Sequence, residues 1–332
     1  MNDVVHDNSE INIIEHNDAQ LDLYFKIHEK ANSKNEEISK SYKNNILVKF
    51  SDIKELHYKT VQSITSLNPV KSNIGIRIAV SHNEGETDKF NSFEDFERHH
   101  VTSPNPTSNL RMLYTFAVYD NESGVFENFK VINQIRSRVA ELEQAEKEAP
   151  PFIPQAFIAS LVTITAKITI EYDDYVKARH FTAMFDEWIR GCDESNNVKG
   201  INFLKRNSHL ITKFGKLTIY AMLAIFTSKA IDANIITSAL TVKFVVIYAS
   251  VFVIFGNVVE LFLRKIESSI DGYLALSYLN INKGDAKLIK EYSGRNKSSI
   301  FTIFIGSVGT IFIGLLTCAV YDIIKWFILL PS

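Results

Sequence analysis

Apolar and polar residues alternate along five stretches of the chain between residues 45 and 192. Four stretches cover 46–50, 74–81, 110–118 and 129–135, and the fifth and clearest covers 158–172. Strands with one apolar and one polar face are typical of an antiparallel sheet that helices cover on one side only. In the fifth stretch the apolar positions are Val162, Ile164, Ile168, Ile170 and Tyr172, and the polar positions are Thr163, Thr165, Lys167, Thr169 and Glu171.

Helices are predicted between these strands. Apolar residues at helical spacing predict helices over 52–67, 92–100 and 136–149. Asp174 precedes a further apolar stripe that ends at Gly191, so its carboxylate is predicted to cap a helix there. Strands and helices do not alternate regularly along the chain, which favours an α+β fold over a doubly wound sheet.

The composition changes abruptly after residue 216, where three long apolar stretches begin. A helix needs ~20 mainly apolar residues to span a bilayer, and we predict three transmembrane helices at about 217–235, 237–263 and 300–320. Two alternatives stay open. In one, the stretches are core helices without a membrane. In the other, the first stretch does not span and the other two form a hairpin.

The predicted fold class is therefore α+β, with an N-terminal antiparallel sheet and covering helices, followed by an all-α transmembrane region of three helices. We divide the chain into a flexible acidic arm (1–44), a cytoplasmic α+β domain (45–192), a basic juxtamembrane linker (193–216) and the transmembrane region (217–332). The arm has more acidic residues than lysines and lacks the apolar core of a signal peptide.

Lys and Arg residues cluster before the first apolar stretch and between the second and third. Because basic residues stay on the cytoplasmic side, we expect a multi-pass protein of a bacterial inner membrane with a short C-terminal tail outside. Trp326 is predicted to anchor the outer interface. Glu260 precedes Arg264 by four residues, which predicts an ion pair at the inner interface beside Lys265. The basic loop 283–297 is predicted to set this topology or to contact anionic lipid headgroups.

Small residues recur at every fourth position of the third apolar stretch. Small residues at this spacing let two helix backbones approach closely, so the row predicts a helix-contact stripe. The stripe either packs against the other helices of the same chain or joins the protomers of a homo-oligomer. Its members are Thr302, Gly306, Thr310, Gly314 and Cys318.

The charge balance and the spacing of the cysteines argue against several kinds of partner and bound group. The chain has 36 basic and 38 acidic residues and a formal net charge of -2, so no nucleic-acid partner is indicated. Cys192 and Cys318 are far apart and have no zinc-ligand spacing. The sequence also lacks a glycine-rich phosphate loop, and we predict neither a cofactor nor a metal site.

Two groups of residues are candidates for catalysis. Asp173, Asp174 and His180 lie at a predicted strand-to-helix junction, where carboxylates and an imidazole are suited to proton transfer. His99 and His100 are potential metal ligands, but adjacent side chains point in different directions and chelate poorly. The structural alternatives are a helix cap for Asp174 and an exposed helix end for the two histidines.

A folded domain without a convergent catalytic motif, joined to helices with a contact stripe, favours a sensor or adaptor. In this hypothesis the domain recognises a cytoplasmic protein or a small-molecule trigger, and helices embedded in the lipid bilayer oligomerise. One version is a bacterial antiviral-defence effector that perturbs the membrane when triggered. The alternatives from other classes are a membrane-anchored enzyme of unknown reaction and a small channel or scaffold.

Overall fold

Six strands form one antiparallel sheet in the spatial order β1-β7-β6-β5-β3-β4. The computed structural model describes residues 36–70, 74–99, 103–121, 124–153, 155–195, 200–232 and 241–329. In chain order the elements are β1 (Glu36–Tyr42), β2 (Leu47–Lys49), α1 (Phe50–Ser66), β3 (Gly75–His82), β4 (Thr87–Phe90), α2 (Phe93–His99), β5 (Thr107–Tyr119), β6 (Phe126–Arg136), α3 (Arg138–Glu148), α4 (Gln155–Leu161), β7 (Ala166–Tyr172), α5 (Tyr175–Gly191), α6 (Ile201–Arg206), α7 (Ser208–Asp232), α8 (Thr241–Gly272), β8 (Tyr278–Asn280) and α9 (Lys283–Leu329).

Helices α1 and α5 cover one face of this sheet. Their buried apolar residues include Ile53 and Leu56 of α1 and Phe181 and Trp188 of α5, which join one core cluster with the inward-facing strand residues. The indole N–H of Trp188 donates to the carbonyl oxygen of Asp52 at 2.9 Å and so links the two helices. Each fully buried side chain of this size contributes roughly 1.5–3 kcal/mol, so this layer supplies the main core of the fold.

The opposite face of the sheet is exposed in part: Ile132 of β6 is buried there, whereas β3 and β5 carry exposed side chains. Arg77 on β3 and Arg111 and Thr115 on β5 are exposed, while their neighbours along each strand belong to the core. This one-sided burial is the arrangement that the alternating strand pattern predicts, because successive side chains of a strand point to opposite faces.

A second, smaller cluster joins the sheet to the C-terminal helices. β8 pairs in parallel with β2, and the first turns of α9 pack beside α3. Leu288 and Tyr292 of α9 are buried in this cluster with Leu142 of α3. Arg295 and Glu146 form an ion pair between α9 and α3 at 3.1 Å. The start of α9 therefore belongs to the α+β part of the molecule, while its continuation packs along α8.

Helices α7, α8 and α9 form the helical part of the chain. Their shared cluster is centred on Ile219 of α7 and on Val259, Leu263 and Ile266 of α8. A Cβ atom added at Gly306 of α9 would lie 2.5 Å from Cγ1 of Ile266. This close approach of α9 to α8 therefore requires glycine at position 306.

The predicted transmembrane region of three helices is wrong. Within the residues that the structure describes, none of the helices carries an apolar stretch of the length that a membrane crossing requires. Charged residues interrupt two of these helices, since Lys213 and Lys216 lie within α7 and Glu260 and Arg264 within α8. The predictions of a multi-pass membrane protein, of a bacterial inner-membrane location and of a tail on its outer side are corrected by the same finding.

Three element boundaries also differ from the prediction. The stretch 158–172 is not one strand, because α4 occupies its beginning and β7 starts only at Ala166. The basic segment 283–297 is not a loop but the first turns of α9, where helix-forming residues and buried Leu288 favour a helix. Glu36–Tyr42, assigned to the acidic arm, forms the edge strand β1, and residues 1–35 lie outside the described residues.

Candidate ligand-binding face of the sheet

Basic side chains line the partly exposed face of the sheet. In one row across the strands, Gln134 lies opposite both Arg111 and Lys167. On the other side of Arg111, Ala79 lies opposite both Arg111 and Lys89. Neighbouring strands are about 4.8 Å apart, so consecutive cations of the row are separated by roughly 10 Å. Arg77 lies two residues before Ala79 on the same face. The basic face is defined by Arg77, Lys89, Arg111 and Lys167.

The charges of the basic face are not neutralised by the described part of the chain. None of its four members forms an ion pair there, although other cations of the same face do. Lys130 pairs with Glu171 at 2.5 Å, and Arg136 lies 3.7 Å from Glu141. Because these four cations are held on a rigid sheet, their summed potential attracts anions at this end of the face. Exposed Glu37 of β1 and partly exposed Glu171 of β7 lie toward the opposite end.

Polar and apolar groups separate these cations. The side-chain amide of Gln134 donates to Oδ1 of Asn109 at 3.0 Å, which fixes both amides beside Arg111. In the middle of the face Leu113 lies opposite Ile132. The surface therefore combines positive charge and hydrogen-bonding amides with a partly exposed Leu113 at its centre, while Ile132 is buried.

Two aromatic rings lie at the far end of the same face. Tyr119 and Phe126 are opposite residues at the end of the β5–β6 ladder. Their ring centroids are 5.1 Å apart, and the side chains are 46% and 51% exposed. Exposed aromatic rings on the same sheet face as the cations of the basic face are a candidate stacking site, although the rings lie six residues along β5 from the nearest row of the basic face.

The near end of the face meets the joint with α9. Asp285, in the first turn of α9, is 2% exposed. Its carboxylate accepts the backbone N–H of Thr107, the first residue of β5, at 2.5 Å. It also accepts the N–H groups of Ile281 and Asn282 at 3.0 and 3.1 Å. Burial raises the pKa of Asp285 to about 6, although these N–H groups oppose the rise.

Asn282 and Gly284 complete this joint. The amide of Asn282 donates to the carbonyl oxygen of Asn105 and to the hydroxyl of Thr107, both at 3.0 Å. A Cβ atom at Gly284 would collide with the backbone of Pro104, so the chain before β5 packs directly on the α9 backbone. The joint therefore fixes the start of β5 to the start of α9 through buried hydrogen bonds.

A cavity of about 820 Å³ between α7 and α8 is a second candidate. Glu260 forms ion pairs with Lys216 at 2.5 Å and with Arg264 at 2.6 Å. The hydrogen bond from Lys216, followed by that from Arg264, lowers the pKa of Glu260. These charges neutralise one another, so the basic face is the stronger candidate for an anionic ligand. The cavity is lined by His209, Thr212, Lys213, Lys216, Glu260, Arg264, Glu267, Ser268, Asp271 and Gly272.

The carboxylates and the histidine predicted for catalysis do not converge. Asp174 caps α5 and accepts the N–H of Val176 at 2.7 Å. Asp173 accepts the backbone N–H of Asn128 at 2.8 Å. His180 is exposed on α5 and lies edge-on to Phe181 of the same helix. The described contacts of the two aspartates are therefore structural.

The other predicted ligands and thiols are placed as follows. His99 is the last residue of α2, but its side chain and His100 lie outside the described residues. Cys192 is buried after α5, and burial raises the pKa of its thiol to about 12. Such a thiol is a poor nucleophile at neutral pH. Among the described residues, no group of three or more His, Cys, Asp or Glu side chains is arranged to hold a metal ion.

The helix-contact stripe is described only in its first half. Gly306 contacts α8 of the same chain through Ile266. The hydroxyl of Thr310 donates to the carbonyl oxygen of Gly306 at 2.8 Å, and Thr302 is partly buried. The contact of Gly306 with Ile266 agrees with packing of the stripe within one chain, which is the first of the two interpretations; the second is contact between protomers. The surroundings of Gly314, Cys318 and Trp326 lie outside the described part of the structure. Lys265 is exposed next to the Glu260–Arg264 ion pair.

Sequence reasoning missed the basic face, because its four members are isolated positions far apart in the chain. The signal was present in the alternating strands, whose polar positions include Arg77, Arg111 and Lys167. Only the strand order shows that these positions share one surface. No protein-family model matches the chain, and no curated protein is similar to it.

Proposed function

We propose that this protein is a ligand-binding sensor or adaptor whose α+β part takes an anionic partner on the basic face. The observation that carries the proposal is the exposed set of cations without an acidic partner in the described structure. Three of them, Arg77, Lys89 and Arg111, are exposed, and Lys167 is partly exposed. An anionic partner can pair with them without breaking an ion pair that the described structure contains. The binding free energy is therefore not reduced by the loss of an intramolecular interaction.

The joint at Asp285 gives such a sensor a route to the helical part. Arg111 follows Thr107 by four residues on β5, and the N–H of Thr107 is bound to Asp285 at the start of α9. α9 has 47 residues and is therefore about 70 Å long. A partner that tightens the start of β5 acts on this buried hydrogen bond and through it on the helix.

Retention on heparin resin tests the anionic partner, because heparin is a polyanion without bases or peptide groups. We expect the full chain to be retained at low salt and to elute as the salt concentration rises. The triple variant Arg77→Ala, Arg111→Ala and Lys167→Ala should elute at clearly lower salt. The matched control replaces Arg98, Arg179 and Arg190, which are exposed on the helices. Equal elution of both triple variants would contradict the proposal.

Hydrogen exchange tests the route to α9. We expect bound heparin tetrasaccharide to slow exchange at the amide of Thr107 and in the first turns of α9. The Asp285→Asn variant should bind the tetrasaccharide but lose the protection in α9. Protection confined to the strands in the unaltered protein would rule out this route while leaving the binding face intact.

An exposed apolar stripe on α9 supports a homo-oligomer as the output state. Phe301, Ile305, Val308 and Phe312 are 49–63% exposed, and their spacings of four, three and four residues match the contact positions of a coiled coil. A second copy of the chain presents the same stripe, so a two-fold contact satisfies both copies. This stripe lies away from Gly306, which packs against α8 of its own chain.

Light scattering over a range of protein concentrations tests this contact. We expect a dimer or higher oligomer for the unaltered chain and a shift toward the monomer for Ile305→Glu. Ser307→Glu is the matched control, because Ser307 is exposed one face away on the same helix. A monomer at every concentration would contradict the contact between copies.

A further inference from the structure

We infer that the anionic partner of the basic face is a single-stranded nucleic acid, an inference that rests on the proposed function. Positive charge and exposed aromatic rings occur together on one sheet surface. Tyr119 and Phe126 provide rings at one end, and Arg111 and Lys167 provide cations toward the other. Proteins that bind single strands combine a basic track along the phosphates with aromatic rings on which bases stack.

The dimensions of the face fit a short single-stranded nucleic acid. From Arg111 to Tyr119 the surface follows β5 for eight residues, about 27 Å at 3.4 Å per residue. A single-strand site of this kind covers roughly 4–16 nucleotides. Arg77 lies between these ends, beside the Leu113 position of β5. The cations of the basic face therefore lie in its first two rows, so a bound strand would place its phosphates there and extend its bases toward Tyr119 and Phe126.

Hydrogen-bonding groups lie between the charges, where exposed base edges would meet them. Gln134 and Asn109 lie next to Arg111 and are oriented by their mutual hydrogen bond at 3.0 Å. Asn128, two residues along β6 from Phe126, is exposed, but its side-chain amide donates to Asp173 at 3.5 Å. Sequence-specific contacts to single strands use amides of this kind on unpaired base edges.

The same geometry disfavours a duplex. Six strands at about 4.8 Å spacing make a face roughly 24 Å wide, which does not enter a major groove of about 12 Å. An acidic protein segment would neutralise the four cations but offers no stacked bases for Tyr119 and Phe126. A single strand satisfies both the cations and the rings, so the observations favour it.

Fluorescence anisotropy with a labelled 12-nucleotide single-stranded RNA tests the inference on the full chain. The comparison ligands are the DNA of the same sequence, its 12-base-pair duplex and polyglutamate of equal charge. We expect both single strands to bind more tightly than the duplex or polyglutamate. Arg111→Ala should reduce the slope of log affinity against log salt by about 0.7, the contribution of one phosphate contact on a single strand.

Substitution of Tyr119 separates stacking from charge. Tyr119→Ala should weaken single-strand binding by about tenfold, within the range for one stacked base, and Tyr119→Phe should restore it. Tyr58→Ala is the matched control, because Tyr58 is 57% exposed on α1 outside the basic face. Thermal unfolding followed by circular dichroism checks that Tyr119→Ala is folded, as its half-exposed side chain predicts.

The outcomes distinguish the inference from the proposed function. If polyglutamate binds as tightly as RNA and needs the same cations, the single-strand inference fails and the sensor proposal stands. If Tyr119→Ala and Tyr58→Ala bind RNA equally, base stacking on this face is excluded and the inference also fails. If neither the nucleic acids nor polyglutamate nor heparin binds, both are overturned.

Discussion

The carboxylate of Asp285 accepts the backbone N–H of Thr107 at 2.5 Å, across 178 residues of sequence. The contact is buried and joins the first turn of α9 to the first residue of β5. Because the basic face begins four residues further along β5, this hydrogen bond lies between the candidate ligand surface and the C-terminal helices. Removal of this hydrogen bond should therefore lower the stability of the fold and weaken the coupling between the basic face and the C-terminal helices.

Asp285→Ala should lower the free energy of unfolding by about 3 kcal/mol, because three buried N–H groups lose their acceptor. Chemical denaturation followed by circular dichroism measures this loss. Glu291→Ala, at an exposed position of the same helix, should change stability by less than about 0.5 kcal/mol. A similar loss in both variants would mean that the hydrogen bonds of Asp285 contribute no more to the free energy of unfolding than an exposed residue of α9 does.

Asp285 should also make stability depend on pH. Its pKa is raised from 3.8 to about 6 in the folded state, so the folded protein holds the proton more tightly than the unfolded chain. Stability relative to Asp285→Asn should therefore rise as pH falls from above 6 to below 4, by at most about 3 kcal/mol. Denaturation curves at pH 7, 6, 5 and 4 measure the difference between the two proteins. A difference that stays constant with pH would show that Asp285 keeps its ordinary pKa.

Two glycines of α9 should respond oppositely to alanine. At Gly306 the added Cβ would lie 2.5 Å from Ile266, so Gly306→Ala should destabilise the α8–α9 packing by about 1–3 kcal/mol. At Gly309 the nearest atom is 3.9 Å away on Phe262, an ordinary contact, so Gly309→Ala should stabilise by about 0.5–1 kcal/mol.

Thermal unfolding of the two glycine variants compares them directly. Combining Gly306→Ala with Ile266→Val, which removes one methyl group from the crowded side chain, should recover part of the loss. Stabilisation by Gly306→Ala alone would mean that α9 does not lie against α8 as closely as the structure describes.

Substitutions of Asp174 and His180 should show whether each residue has a structural role or contributes to a ligand site. Asp174→Ala should lower stability by about 1 kcal/mol, because α5 loses the cap that accepts the N–H of Val176. His180→Ala should leave stability unchanged, since the side chain is exposed. Heparin retention should be unaffected by either substitution, because both residues lie outside the basic face. Reduced heparin retention of His180→Ala would show that the ligand site includes His180 on α5.

Local features of the fold were predictable from the sequence. The cap at Asp174 forms as expected, because its carboxylate accepts the N–H of Val176 at 2.7 Å. Such contacts join residues two or three positions apart, so their geometry is set by the local backbone. The division of strand residues into an inner and an outer face has the same origin, because side chains alternate along any strand.

The predictions that failed concerned what an apolar stretch packs against. Periodicity gave one strand over 158–172, although Ile158 belongs to α4 and is buried beside α3. It also gave separate membrane helices, although α9 is continuous from Lys283 and its first turns pack on the α+β part. The hydrophobic effect favours removal from water without specifying the neighbour, so the pattern alone does not identify it.

By itself, the sequence determined which residues lie on the polar side of each strand, since that depends only on the alternation along the chain. The order of the strands, and with it the gathering of Arg77, Lys89, Arg111 and Lys167 on one surface, was decided by the tertiary structure. Strand pairing joins residues far apart in sequence, and its free energy comes from long-range contacts that no local pattern contains. A nearly neutral chain therefore carries a basic face that its total charge does not reveal.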